Sequence, residues 1–448
     1  MIPLTLKEIG AVLGCTCGED KQVLSVCTDT RKITEGSLFI ALVGERFDGH
    51  DFVEAAFEKG AVAAVCSRPV DSDGEVLVVE NTGKALLDIA AYYRSLFSIP
   101  FVGITGSVGK TTTKEMVYAV LSEKFNTLKN EGNLNNEIGL PTTVFRLDSD
   151  YEAAILEMGM SAFGEISRLA AVAQPNVGII TKIGVSHIEH LGSREGILKA
   201  KLEILDGLKP GAPLIVNGDD DLLSAVKLSD RRVITFGIDN TACDYRAIDI
   251  RQDGYSTSFT VLFDGGQQQV TIPTVGTHNV YNALSAFAAG IFLGVTPESA
   301  ANGLSKYVTS GMRQNVRDIN GITLIEDCYN ASPDSVRAAA EVLVGMNAGT
   351  KVLVFGDMLE LGDISEQAHR EVGKLVAQKG IDRFYTYGNM AALAAEEAEK
   401  CGAGCVKAFD DKLQLALELK AALVSGDAVL FKASRGMKLE EAIKSFTE

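Results

Sequence analysis

Glycines, a lysine and threonines at fixed spacing in residues 101–114, FVGITGSVGKTTTK, are the groups in this chain best suited to chemistry. Gly106 and Gly109 permit the positive φ angles and close backbone approach that a phosphate cradle needs. The turn aims bare N–H groups and the positive end of a helix at an anion. Lys110 can reach terminal phosphates, and the Thr111 hydroxyl can ligate Mg²⁺. The spacing differs from the common G-x-x-x-x-G-K-[ST], because Val108 stands five after Gly103; it reads G-x-x-G-K-T-T from Gly106. Apolar residues ahead and MVYAVL behind make the stretch strand, turn and helix. Gly106, Ser107, Gly109, Lys110, Thr111 and Thr112 are therefore read as a nucleotide site.

Glu157 stands at the end of the apolar run AAILEM, and His187 follows VGIITKI. If both runs are parallel strands, these side chains meet Thr111 beyond the carboxyl edge of one sheet, where ligands bind. A hydroxyl, a carboxylate and an imidazole can hold Mg²⁺ around phosphates, although imidazole is an unusual ligand for a hard cation. Lys199 and Lys201 lie two apart on a helix and point in different directions, as two surface lysines also would. Asn279 and Asn282 share a helix face, where their amides read a purine edge or serve as an N-cap and a polar core contact. Asp327 and Asn330 close a strand in EDCYNASPDS, a place suited to grasping a ribose, and SRG at 434–436 is a basic loop of the same kind. TDTRK (28–32) and GERFDGHDF (44–52) set Arg among Asp, Gly and Thr, as anion-binding loops and plain turns both do. His50, His190, His278 and His369 are individually uninformative.

Holding these groups in place calls for an α/β fold. At 448 residues the chain is too long for one core. Residues 1–83 read as a small α/β unit with strands LFIAL, AVAAV and EVLVVE. A helix over 84–97 opens a central unit to residue 311, where strand-like and helical runs alternate as in a mostly parallel sheet. Residues 241–274 read as an appended antiparallel hairpin, and GTHNVYNALSAFAAG as a buried helix. Residues 312–448 read as a second doubly wound α/β domain without a phosphate loop of its own. Apolar content of 46% and charged content of 23% are those of a soluble globular protein. A net charge of −17 argues against a general nucleic-acid binder, but not against small anions met by local Lys, Arg and helix N-termini. MIPLTLKEIG lacks a basic region followed by an apolar run, and residues 280–296 are too short to cross a bilayer, so neither a signal peptide nor membrane insertion is expected. Eight scattered cysteines without paired CxxC spacing suit reduced thiols in a cytoplasm.

The stretches TGSVGKTTTKE, EGNLNNEIGLP, AILEMGMSAFGEI, SHIEHLGSREGILKAKLEI, GTHNVYNALSA, EDCYNASPDSV, FGDMLELGDIS and KASRGMKLEE resemble, in order, the Mur ligase family of ATP-dependent amide-forming enzymes. The resemblance spans essentially the whole chain. It implies three domains: one for a UDP-sugar, a central ATPase and a mobile C-terminal domain. NLNNEIGLP and FGDMLELG imply the branch whose substrates are UDP-N-acetylmuramoyl-tripeptide and D-alanyl-D-alanine, with ATP and Mg²⁺. The rivals are a relative adding a single amino acid or glutamate, and a P-loop ATPase switch. Also implied are uridine diphosphate contacts at Thr30, Arg31, Arg46 and His50, and a muramoyl-peptide path along Asn133, Asn135 and Asn136. Asn279 and Asn282 would lie by the adenine; Arg313, Asp327 and Asn330 would meet the nucleotide, and Ser434 and Arg435 the substrate. Lys201 is implied to be carbamylated and to serve a metal. A monomer is expected. Cys328 stands where serine is expected, and Ala433 where glycine is.

Overall fold

The computed structural model describes residues 1–45, 47–309 and 311–448. Four short strands, Ser25–Cys27, Ser37–Ile40, Ala61–Cys66 and Glu75–Val78, pair in that order as an all-parallel sheet. Successive side chains of a strand point to opposite faces. Leu38, Ile40, Ala63 and Val65 therefore join the core under helix Thr82–Ser95, while Phe39, Ala41, Ala64 and Cys66 pack against Val53 and Ala56 of helix Val53–Glu58.

Helix Thr82–Ser95 starts where the Asn81 side chain accepts from the Lys84 amide, and near its end it buries Arg94. Among the described residues that guanidinium meets no carboxylate. It donates to the carbonyls of Ala173, Phe97 and Gln174 at 2.7, 2.8 and 3.1 Å and lies 3.6 Å over the Phe101 ring. The carbonyls of Ala173 and Gln174 are orphans at the C-terminus of helix Glu165–Ala173, the end that favours a cation. A charged side chain thus ties this helix to the central sheet.

The central sheet has nine strands in the order Gly266–Ile272, Ser256–Phe263, Tyr245–Asp253, Val233–Gly237, Leu214–Asn217, Val177–Ile180, Phe101–Thr105, Ala153–Glu157, Thr127–Lys129. All neighbours from Tyr245–Asp253 to Thr127–Lys129 are parallel. The inner strands are apolar throughout because helices cover both faces. Residues 241–274 hold a three-stranded antiparallel meander rather than a hairpin, and its first strand continues the parallel sheet. Helices Lys110–Leu121 and Thr277–Phe292 pack over one face.

The C-terminal sheet runs Asn315–Ile319, Ile322–Asp327, Ala428–Lys432, Lys351–Gly356, Arg383–Tyr387, Cys405–Phe409. Only the first pair is antiparallel. Helices Pro333–Gly345, Ser365–Lys379 and Asn389–Lys400 cover one face, and Lys412–Ala422 and Glu440–Thr447 the other. This is the doubly wound arrangement expected. The two departures are accommodated: Cys328 is fully buried, and the Ala433 methyl fills space that Gly356 leaves, since a Cβ on Gly356 would lie 2.8 Å from it.

Candidate active site

The strand Phe101–Thr105 ends in a loop whose glycines take φ +150° at Gly106 and +85° at Gly109. A Cβ at Gly106 would lie 1.9 Å from Thr181 Oγ1, and one at Gly109 2.6 Å from Asn282 Oδ1. The exit of the neighbouring strand pins the loop. Ser107 N donates to the Lys182 carbonyl at 2.8 Å, and Thr181 Oγ1 donates to the Val108 carbonyl at 2.6 Å. Among the described residues, helix Lys110–Leu121 has no side-chain cap and the buried Ser107 hydroxyl has no partner. Lys110 folds back onto the Gly106 carbonyl at 2.9 Å. Desolvation holds its pKa below the usual lysine range, Glu157 opposing and Arg313 adding to the shift. An orphan hydroxyl, an uncapped helix and a cation with only a carbonyl for company fit a phosphate group.

Glu157, nearly fully buried, accepts from Thr111 Oγ1 at 2.9 Å through Oε2 and from Asn135 Nδ2 at 2.8 Å through Oε1. Its backbone is clamped by Asn130, which accepts from Glu157 N at 2.9 Å and donates to its carbonyl at 3.2 Å. Lys114, also buried, donates to the Asn130 carbonyl at 2.7 Å and stands 3.9 Å from Glu157 Oε2. Asn130 and Lys114 escaped the sequence reading, although Lys114 closes the loop motif itself. His187 sits at φ +62°, and burial, then Lys110 and Lys201, push its pKa down to about 4. The imidazole is therefore neutral at pH 7, with one nitrogen lone pair to offer. Lys201 is 2% exposed with no hydrogen bond from its amine among the described residues; burial, with Lys110 adding, holds its pKa well below the ordinary value. Lys199 is exposed, so the two lysines diverge as their spacing requires. Among the described residues no three His, Cys, Asp or Glu side chains gather as a ready metal cluster. Mg²⁺ commonly takes one or two carboxylates and completes its shell with phosphate and water. The Thr111 hydroxyl and the Glu157 carboxylate, in contact at 2.9 Å, fit that pattern.

A cavity of about 390 Å³ opens beside the loop between the central and C-terminal domains. Ser107, Gly109, Lys110, Thr111, Thr112, Asn279, Asn282, Arg313, Asp327 and Asn330 all border it. Asn279 and Asn282 form a buried network. Asn279 Nδ2 donates to Val275 O and Gln314 Oε1 at 2.8 Å, and Asn282 Nδ2 donates to Asn279 Oδ1 at 3.2 Å. Neither caps the helix, whose N-cap is Gly276. Asp327 pairs at 2.8 Å with buried Lys432, which also donates to the Asn330 carbonyl. Lys432 was missed although it lies in KASRG; its role shows only once two distant strand ends are adjacent. Arg313 stacks 4.1 Å over the Tyr329 ring. His278, which sequence alone left unassigned, lines the same cavity, as does Tyr281, whose hydroxyl donates to Asp219 at 2.8 Å.

The remaining candidates sit elsewhere. Thr30 and Arg31 form a short turn in the first domain, and the exposed Arg31 pairs with Asp29 at 2.8 Å. Arg46 lies outside the described residues. His50 is placed inside the domain, not on its loop surface: Nδ1 is 2.5 Å from Asp48 Oδ1, and Nε2 accepts from Ser67 N at 2.8 Å with Ser67 Oγ 3.1 Å away. Asp48, His50 and Ser67 thus mimic a nucleophile triad, but the amide already occupies the Nε2 lone pair, so this histidine braces the loop. In NLNN, Asn135 reaches Glu157, Asn136 Oδ1 accepts from Gly139 N at 2.8 Å at a helix start, and Asn133 is exposed. Ser434 Oγ accepts from Leu359 N at 2.9 Å, and Arg435 pairs with Glu440.

Comparison with known proteins gives one consistent result. Family models match in three blocks: the Mur ligase family catalytic domain at residues 22–94, the Mur ligase middle domain at 104–290 and the Mur ligase glutamate ligase domain at 312–435. The UDP-N-acetylmuramoyl-tripeptide–D-alanyl-D-alanine ligase of Bacillus subtilis (strain 168) is 44% identical over 458 residues, which covers 100% of this chain and 99% of that protein. The structure of MurF from Acinetobacter baumannii matches with a TM-score of 0.93 at 33% identity, covering 99% of each chain. That of MurF ligase from Thermotoga maritima in complex with ADP matches at 0.86 and 31% identity, covering 94% of this chain and 97% of that one. With that likeness over its full length, this chain belongs to the Mur ligase family.

Proposed function

We propose that the chain is an ATP-dependent ligase that forms an amide bond between UDP-N-acetylmuramoyl-tripeptide and D-alanyl-D-alanine. The observation that carries this reading is the glycine loop at 106–111, where Lys110 folds onto the Gly106 carbonyl at an uncapped helix start and Thr111 Oγ1 donates to buried Glu157. The names of the full-length relatives support the choice of substrates. The working units are taken as residues 1–83, 84–311 and 312–448.

In this reading the tripeptide carboxylate attacks the γ-phosphorus of ATP and ADP leaves. The dipeptide amine then attacks the acyl carbon, releasing phosphate and a proton. Two anions must meet in the first step, so charge on the transferring phosphoryl group has to be neutralised where it develops. Lys110 and the bare amides after Ser107 do this from the loop. Thr111, Glu157, His187 and Lys201 would hold Mg²⁺, which spreads charge from the phosphoryl oxygens when bound. A protonated Lys201 would repel that ion. Its buried amine, whose charged form burial disfavours, can instead add CO₂ and lose a proton, becoming an oxygen-bearing anion of the kind Mg²⁺ prefers. Asn279 and Asn282 serve the adenine; Arg313, Asp327 and Asn330 serve the nucleotide. Thr30, Arg31, Arg46 and the loop braced by His50 serve the uridine diphosphate. Asn133, Asn135 and Asn136 line the peptide path, and Ser434 and Arg435 meet substrate at the C-terminal domain. Closure of that domain shields the acyl phosphate from water. The enzyme acts as a monomer in the cytoplasm.

The test combines ATP, Mg²⁺, UDP-N-acetylmuramoyl-tripeptide and D-alanyl-D-alanine, with product mass and phosphate release as readouts. Phosphate release requiring both small substrates is expected. Turnover driven by a macromolecule alone, or by a single amino acid in place of the dipeptide, would overturn the assignment.

A further inference from the structure

The loop after strand Lys351–Gly356 belongs to the C-terminal domain, yet it reaches the edge of the central sheet. Glu360 Oε2 lies 3.2 Å from His187 Nδ1. Both residues take the left-handed backbone conformation, each at φ +62°, which non-glycine residues hold only when their surroundings enforce it. The surroundings do so from both sides. On the C-terminal side, Met358 N donates to His369 Nε2 and Leu359 N to Ser434 Oγ, each at 2.9 Å, while His369 Nδ1 is held 2.7 Å from the Ser365 carbonyl. On the central side, a Cβ on Gly362 would lie 3.0 Å from Glu189 Cγ, so the loop seats directly on helix Ile188–Leu191. Glu360 makes no other polar side-chain contact among the described residues.

We propose that Glu360 is a positioning residue for His187: by reaching across the domain boundary, its carboxylate keeps the imidazole proton on Nδ1 and leaves Nε2 as the lone-pair atom for the divalent cation. The inference rests on the reading of His187 as a metal ligand. A neutral imidazole has one N–H and one lone pair, and a carboxylate beside one nitrogen selects which is which. Ligating histidines commonly have such an outer partner, which also sets ring orientation. Here the partner comes from another domain, so the cation site is complete only while the C-terminal domain is docked. Closure then tightens cation binding, and by reciprocity cation binding favours closure.

Three variants, Glu360→Ala, Glu360→Gln and His187→Ala, test this in the full chain, with Glu157→Ala as a control. The first readout is long-range ¹H–¹⁵N spectroscopy of ¹⁵N-histidine protein, His187 being identified by its loss in His187→Ala. The parent should show His187 protonated at Nδ1, and Glu360→Ala should show mixed or Nε2 protonation. The second readout is Mn²⁺ binding by electron paramagnetic resonance with a non-hydrolysable ATP analogue present. Glu360→Ala should weaken it about tenfold, as loss of an outer partner typically does, with Glu360→Gln in between. A parent carrying the proton on Nε2 overturns the proposal. Parent-like Mn²⁺ binding in Glu360→Ala, with binding lost in His187→Ala and Glu157→Ala, overturns it while sparing the metal reading. Parent-like binding in all of them overturns both.

Discussion

Two sheet edges face each other across the interdomain cavity, and they treat buried lysines in opposite ways. At the C-terminal edge, Lys432 is matched with Asp327 at 2.8 Å and with the Asn330 carbonyl. At the central edge, Lys110 has only a loop carbonyl, and Lys201 has no hydrogen bond from its amine among the described residues. Burial disfavours the charged form of an amine, and only the first arrangement sets a carboxylate beside it at hydrogen-bond distance. The matched pair holds two strand ends together. At the unmatched lysines burial disfavours the charged form.

Removing Lys110 should have the largest effect and break the contrast from its chemical side. Lys110→Ala should lower kcat/KM by about 10²–10³ or more, the scale of losing one preorganised electrostatic partner, with circular dichroism unchanged. Retained turnover would refute its role. Lys201→Ala should also lose most ligase activity, and small carboxylic acids added in solution should partly restore it. Its melting temperature should stay level or rise, because a buried unmatched amine has gone. The opposite edge should respond in stability. Asp327→Ala strands buried Lys432 and should cost about 3–5 kcal/mol, read by denaturant melts. Asp327→Leu with Lys432→Met should recover much of that loss; failure of the double variant to do so would mean that packing, not charge, dominates.

A smaller effect concerns pH. His187 is pushed from 6.5 down to about 4, so folding disfavours its protonated form. Its contribution to stability should be fully present above about 6.5 and decline as pH falls toward 4; His187→Gln should flatten that part of the stability curve. The smallest effect belongs to Lys182–Asp334, a half-exposed pair at 3.3 Å across the cavity mouth. Lys182→Ala should change stability by about 0–1 kcal/mol. X-ray scattering should still show compaction on adding sugar nucleotide and ATP analogue, and identical profiles with and without ligands would count against a mobile C-terminal domain.

Patterns local in the chain were legible without coordinates. Glycine at 106 and 109 ahead of Lys110 permits the turn that a phosphate loop needs, and apolar runs such as 153–156 and 177–180 have the length of strands buried on both faces. The α/β class, the phosphate loop and the divergence of Lys199 from Lys201 follow from periodicity and backbone sterics. Short or solvated elements were not legible: the edge strand Thr127–Lys129 has three residues, and the meander's first strand shows its parallel pairing only through its partner. What the tertiary structure decided is which distant groups meet. Nothing local pairs Lys432 with Asp327, clamps Glu157 with Asn130, turns His50 inward to Asp48 and Ser67, or sets Glu360 against His187. Those contacts join residues far apart along the chain or come from loop geometry, and a side chain's charge state and partners depend on what packs around it in space.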